Sequence, residues 1–307
     1  MTRISSFGQQ GVLLQATLRN QEQLFRAQKQ ITTGKKASQF RELGSRVQEA
    51  LNARQSREAV ATFRSTIQQV RQTVDAYDVQ IGAVADAARS LQQAVVTAVG
   101  QEDATGLMAS LDQAFTIAVS ALNTRINGNF IFGGARTDQP PVTVSTLSDL
   151  QALALSSDAF GNDQTIRSAF IAEGTDIKFG QLANGVASEI FASFKRIADF
   201  DAGPSGPLSG KLTAAQRAFL ETEIGNIESA VQQIQSAQVK NGLASNRLDV
   251  ADAQHESTQV FLESLVSDIE DVNLAEAVSR LNQDQVALQA SFEALRTLGQ
   301  LSLLNFL

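Results

Sequence analysis

His255 is the one histidine of the chain, and Asp252 and Glu256 lie on either side of it. Four residues apart, these carboxylates share a helix face and could flank an imidazole. A lone histidine in a chain without cysteine makes a poor transition-metal site, so a solvated helix surface is the favoured reading. Asp199 and Asp201 near Gly203 faintly resemble a calcium loop, but the remaining ligand positions are missing, and a plain loop is expected. No G-x-x-x-x-G-K-[ST], no G-x-G-x-x-G after a strand and no G-x-S-x-G elbow occurs. With no Cys, no Trp and a single Tyr (Tyr77), disulfides, thiolate nucleophiles and Cys-bearing metal sites are excluded. The chain reads as a non-enzyme without cofactor or metal.

The surrounding chain is suited to packing. Its 307 residues are 43% hydrophobic, ordinary for a protein with a real core. No run approaches the roughly 18 apolar residues that a membrane span needs, and the stretch Gly11 to Leu14 is too short and broken for a signal-peptide core. Residues 1–72 hold 12 Lys/Arg against 4 Asp/Glu, a net of +8, whereas residues 249–307 hold 2 against 10, a net of −8. Because the basic residues are interleaved with an apolar helical pattern and have an acidic counterpart in the same chain, nucleic acid is not the expected partner.

From Val60 to Ala98 apolar residues recur at spacings that alternate three and four: Val60, Phe63, Ile67, Val70, Val74, Tyr77, Ile81, Val84, Ala88, Leu91, Val95, Ala98. This heptad predicts a long helix in a coiled-coil-like seam. The second half carries the same alternation at Leu220, Ile224, Ile227, Val231 and Ile234. Polar residues then occupy the register at Gln238, Asn241 and Ser245 before Leu248, and Leu262, Val266 and Ile269 resume it. Leu107, Leu111, Phe115, Ala118 and Leu122 predict a third helix. At the C-terminal end Leu274, Leu281, Leu288 and Leu295 stand seven apart, with Val278 and Phe292 in the alternate position.

Between Gly128 and about Leu212 the heptads vanish and all four prolines appear. Phe130–Phe132, Val142–Val144, Ile166–Ile171 and Asp176–Phe179 read as short strands. Leu182–Phe200 reads as an amphipathic helix, and Asp201–Gly210 as a returning loop. The expected fold is mainly α: a long antiparallel helical bundle or coiled coil from both chain ends, with a small inserted β-containing (α+β) middle domain. The expected divisions are an N-terminal assembly helix over 1–40, a helical core over 41–137 and 213–265, the insert over 138–212, and a C-terminal assembly helix over 266–307.

Three stretches resemble the flagellin family: the opening Met1-Thr-Arg-Ile-Ser-Ser with Gln30-Ile-Thr-Thr-Gly-Lys-Lys36; Asn127-Gly-Asn-Phe-Ile-Phe-Gly-Gly-Ala-Arg-Thr137; and Asn246-Arg-Leu248, Asp271–Ala277 and the ending Leu301–Leu307. The first looks like the turn closing the family's first helix, the second like its crossing from core helices to variable domain, the third like its C-terminal tail. Between Ser38 and Gly44 the chain departs from many relatives, which carry Asp-Asp-Pro or Asp-Asp-Ala-Ala-Gly there. The SLLNFL ending, the RIS opening and the modest length resemble the branch that joins hook to filament more than filament flagellin.

The resemblance implies an extracellular structural subunit of the bacterial flagellum, exported without a cleaved signal peptide. Implied partners are copies of itself in a ring or tube, a neighbouring hook-associated protein, flagellin and a cytoplasmic export chaperone. Filament flagellin is one alternative; a secreted cell-surface binding protein on a flagellin-like scaffold is another. Expected interface residues are Leu14, Leu18, Phe25, Leu274, Leu281, Leu288, Phe292, Leu295, Leu304 and Leu307. The expected inter-domain crossing is formed by Gly128, Phe130, Phe132, Gly133 and Gly134. The apolar tail Leu298–Leu307 also implies assembly, because it stays exposed unless another subunit covers it.

Overall fold

The computed structural model describes residues 2–37 and 39–304, with side chains over 11–37, 39 and 41–297. It is mainly α, with two small antiparallel hairpins in the middle of the chain. Two compact units form, Val60–Glu256 and the pair of segments Met1–Ala59 with Ser257–Leu307. No helix among the described residues is long and apolar enough to cross a membrane.

In the unit Val60–Glu256 the heptad becomes the greater part of helix α2 (Val47–Gln101). Every heptad position from Ile67 to Ala98 is buried, and Val60 and Phe63 are half-buried. The helix ends in a Schellman turn, in which Asp103 N–H donates to Ala98 O and Glu102 N–H to Val99 O. Glu102 takes the left-handed position at φ 57°, where glycine is usual. Helix α3 (Leu107–Leu122) buries all five predicted positions.

Helix α6 (Ala214–Glu270) runs antiparallel to α2 in this unit: Arg64 pairs with Asp252 at 3.0 Å, Arg71 with Asp249 at 2.6 Å, and Asn241 Nδ2 donates to Val74 O at 2.9 Å. Asn241 is thus a buried polar residue inside an apolar seam, the kind of residue that fixes helix register at some expense of stability.

The middle of the chain shares that core. A hairpin of β1 (Arg125–Ile126) and β2 (Asn129–Phe130) turns on Asn127 and Gly128, both at positive φ, the Asn-Gly signature of a two-residue turn. The predicted strand Phe130–Phe132 stops at Phe130; Ile131 N–H still donates to Thr124 O, and its carbonyl accepts from the Tyr77 hydroxyl rather than from a strand partner. Val142–Val144 forms one bridge, Val142 to Phe160, rather than a strand. A second hairpin pairs β3 (Ser168–Ala172) with β4 (Thr175–Lys178). A short helix α4 (Leu147–Ala152), missed in the sequence, is opened by Thr146 and Asp149 in a capping box. Helix α5 (Ala183–Ala202) runs two residues past its expected end. Phe132, Val142, Leu150, Phe191 and Phe194 join the same buried cluster as α2, α3 and α6.

In the other unit, α1 (Thr2–Thr33) lies antiparallel to α7 (Leu274–Leu304). Its part of α2 buries Ala50 and Ala53, and its part of α6 buries Leu262, Val266 and Ile269. Phe40–Arg46 is a 3-10 helix in which Gly44 takes φ 62°.

Candidate functional site

The α1–α7 pair carries most of the expected interface residues and sorts them into two sets. Leu281, Leu288 and Leu295 are half-buried and face α1. Leu14, Leu18, Phe25, Leu274 and Phe292 are between 49% and 64% exposed. Leu304 lies at the end of α7 with its side chain outside the described set, and Leu307 lies outside the described residues.

The seam corrects one expectation. Its alternate positions are Ala277, Asp284 and Ser291, not Val278 and Phe292, which are 44% and 49% exposed. On α1 the facing residues are Leu13, Thr17, Asn20, Leu24, Ala27 and Ile31. Small and polar residues let the helices approach, and Asn20 Nδ2 donates to Ser291 Oγ at 2.8 Å. Each helix carries two apolar stripes, and one partner helix covers only one of them. The stripe Leu14, Leu18, Phe25 on α1 and the residues Leu274, Val278, Phe292 on α7 are left to solvent.

A clasp holds this pair at one end. Gly34 closes α1 at φ 71°, its N–H donating to Gln30 O at 2.9 Å; this is the single-bond left-handed cap that favours glycine. The next residues pair antiparallel with the α6–α7 joint: Lys36 N–H donates to Glu270 O at 2.6 Å and Val272 N–H to Gly34 O at 2.9 Å. Lys35 Nζ meets Asp271 Oδ1 at 2.5 Å and Glu270 at 3.6 Å. Arg54 forks onto both oxygens of Glu270, which is 5% exposed. Asn273 caps α7, its Oδ1 accepting from Ala275 and Glu276 N–H.

Electrostatics follow from these contacts. The hydrogen bond from Lys35, then that from Ser267, holds the Asp271 carboxyl below its usual range. The hydrogen bond to Asp271 raises Lys35, and that to Glu270 raises Arg54. The Thr-Gly-Lys-Lys and Asp-Val-Asn stretches, which no local pattern relates, form one site.

The crossing residues sit in the unit Val60–Glu256. Phe130 and Phe132 are buried, and Phe132 meets Tyr77 edge to face at 5.0 Å. A Cβ on Gly133 would lie 2.1 Å from Arg136 O. One on Gly134, at φ 71°, would lie 2.0 Å from Asp163 Oδ1. Asp163 needs that space, since its carboxylate accepts from Ala135 N–H at 3.1 Å and Thr165 N–H at 2.8 Å. Those backbone donors, Thr165 first, lower its pKa. Gly128, at φ 84°, has open space around it.

His255 corrects a second expectation, because it is not a solvated surface residue. Its ring stacks on Phe63 at 5.6 Å, and Nε2 donates to Ile171 O at 2.6 Å. Asp252 and Glu256 turn to Arg64. Burying one side of the ring against Phe63 and anchoring the β3–β4 hairpin outweighs solvation. Asp199 pairs with Lys195 at 3.2 Å, and Asp201 accepts from Leu208 N–H at 2.6 Å; both lie within α5 rather than a loop. Among the described residues no group of three or more His, Asp or Glu could hold a metal ion.

This geometry has known counterparts. The bacterial flagellin N-terminal helical region matches residues 4–137, and the bacterial flagellin C-terminal helical region matches residues 224–307. No curated protein matches the chain in sequence. Among solved structures, a protein from Vibrio parahaemolyticus assigned as a flagellar hook-associated protein is similar over 73% of this chain and 97% of its own, at 16% identity and a TM-score of 0.59. FlgL from Bacillus cereus is similar over 70% of this chain and 98% of its own, at 13% identity and a TM-score of 0.57. Those likenesses concern the fold. The two matched regions hold the α1–α7 pair, the clasp and the long helices of the core, and they span most of the sequence: the chain belongs to the bacterial flagellin family.

Proposed function

We propose that this chain is a structural, non-enzymatic subunit that joins hook to filament by assembling with copies of itself. Membership of the flagellin family supports a place outside the cell in the bacterial flagellum, beside other flagellar components. The observation that carries the reading is the α1–α7 pair, whose apolar stripe of Leu14, Leu18 and Phe25 is left uncovered among the described residues. Burial of each such side chain is worth about 1.5–3 kcal/mol, enough in a repeating contact to drive assembly.

The junction role is supported over that of filament subunit by the likeness in fold to a protein assigned as a flagellar hook-associated protein and to FlgL, each along almost its whole length. In this reading the neighbours are another hook-associated protein on the hook side and flagellin on the other. A cytoplasmic chaperone shields the C-terminal helix before export. A deletion strain tests it. Intact hooks without filaments, with flagellin shed into the medium, are the expected result; a normal hook-filament joint in that strain contradicts it.

A further inference from the structure

Helix α6 carries two clefts of opposite charge at the same level, both within the unit Val60–Glu256. One, about 550 Å³, is lined by Lys178, Lys240 and Arg247 with Ile166 and Leu243 on its wall, and no acidic residue lines it. The start of α5 also opens onto it at Leu182 and Gly185, adding the positive end of a helix. The other, about 650 Å³, is lined by Asp75, Asp78 and Asp249 with Val79, and no basic residue lines it. Asp249 is held by Arg71 at 2.6 Å.

The two clefts flank the buried stripe Ala237, Asn241, Ala244, Leu248. With about 100° between successive helical residues, Lys240 and Arg247 fall on one side of that stripe, and Gly242, Ser245 and Asp249 on the other, roughly 170° away. Each cleft has apolar residues open to solvent: Leu243 at 57% and Ile166 at 50% in the basic cleft, Val79 at 65% in the acidic one. The acidic cleft also contains Asn241, 1% exposed, whose Oδ1 has no donor among the described residues.

We propose that the basic cleft of one copy of this chain docks on the acidic cleft of the next, with Leu243 set against Val79. The proposal rests on the self-assembly read above and adds the lateral contact. Complementary patches on opposite flanks make a head-to-tail contact, which closes into a ring or continues as a helix, whereas a two-fold contact stops at a dimer. Charges at such a rim fix register and partner choice more than affinity.

The chain has no cysteine, so thiols can be placed at will. Flagella are isolated from cells whose sole copy is Val79→Cys with Leu243→Cys, treated with a short bismaleimide and probed with antibody against this chain. A ladder of linked multimers is expected, with none from either single variant. Adding Lys240→Glu and Arg247→Glu lowers the ladder about tenfold, and adding Asp75→Lys and Asp78→Lys to those restores it. Dimers from a single cysteine, or no ladder in flagella that contain the protein at an intact joint, overturn the contact and leave the function standing. Absence of the protein from the flagella overturns both.

Discussion

Lys35 and Asp271 stand 236 positions apart in sequence and meet at 2.5 Å, tying the turn after α1 to the joint before α7. Beside them Arg54 grips the buried Glu270. The two ion pairs differ in worth. Lys35 and Asp271 are both more than 40% exposed, and such pairs are worth about 0–1 kcal/mol. Removing Arg54 takes the two-pronged partner from a carboxylate whose side chain is 6% exposed and leaves it only Lys35 at 3.6 Å, at a cost on the order of 3 kcal/mol. Arg54→Ala is therefore expected to lower the unfolding free energy of this unit several-fold more than Lys35→Ala. Equal losses in denaturant titrations would contradict that order.

The clasp responds to acid. The folded pKa of Asp271 is depressed, so its stabilisation is present above the unfolded carboxylate value near 4 and is lost as pH falls through the folded one. Lys35 and Arg54 are raised, so theirs is present below their unfolded values, near 10.5 for the lysine and higher for the arginine, and is lost only as pH rises through the folded ones. The clasp is thus whole from about pH 5 to about pH 10. Amide exchange at Lys36 and Val272, corrected for intrinsic rate, is expected to speed up below pH 4 and to respond less to pH in Asp271→Asn. Identical acid profiles for both proteins would count against this account.

Gly134 and Gly128 separate two kinds of need. Gly134→Ala adds a Cβ against Asp163 Oδ1 and strains a left-handed residue, whereas Gly128→Ala adds the strain alone. A cost of about 1–2 kcal/mol is expected at Gly128 and clearly more at Gly134, where a buried approach is also blocked. Thermal melts of the two variants check the order.

Substitutions on the two stripes of the terminal pair should behave differently. Leu18→Asp and Phe25→Asp alter exposed positions and are expected to keep the monomer's helical content while abolishing assembly. Leu288→Asp places a carboxylate in the half-buried seam and should also loosen α1 from α7, at a cost of about 1–3 kcal/mol. Circular dichroism with sedimentation measures both effects. Normal assembly of the Phe25 variant would show that this stripe is not an interface.

Long helices were legible because Ile67 to Ala98 and Leu107 to Leu122 repeat one spacing whose burial any helix of that pattern requires. The α7 register was not, because Leu274, Val278 and Phe292 are as apolar as Leu281 and Leu288. Which stripe turns inward depends on small and polar partners such as Asn20 and Ser291 on the facing helices. The clasp was hidden for a related reason, since Lys35 and Asp271 join through backbone pairing rather than through any local period. His255 was misjudged because its partners, Phe63 and the Ile171 carbonyl, come from distant segments. The hairpin turn was readable at Asn127-Gly128, where the turn demands those residue types. The need for two glycines at 133 and 134 depends on Asp163, which nothing near them announces.

The most direct test of the junction role is immunogold electron microscopy of whole flagella with antibody against an exposed segment of this chain. Label confined to a narrow band between hook and filament is the predicted result. Label along the filament would make the chain a filament subunit, and label on the cell surface without flagellar attachment would contradict the account altogether.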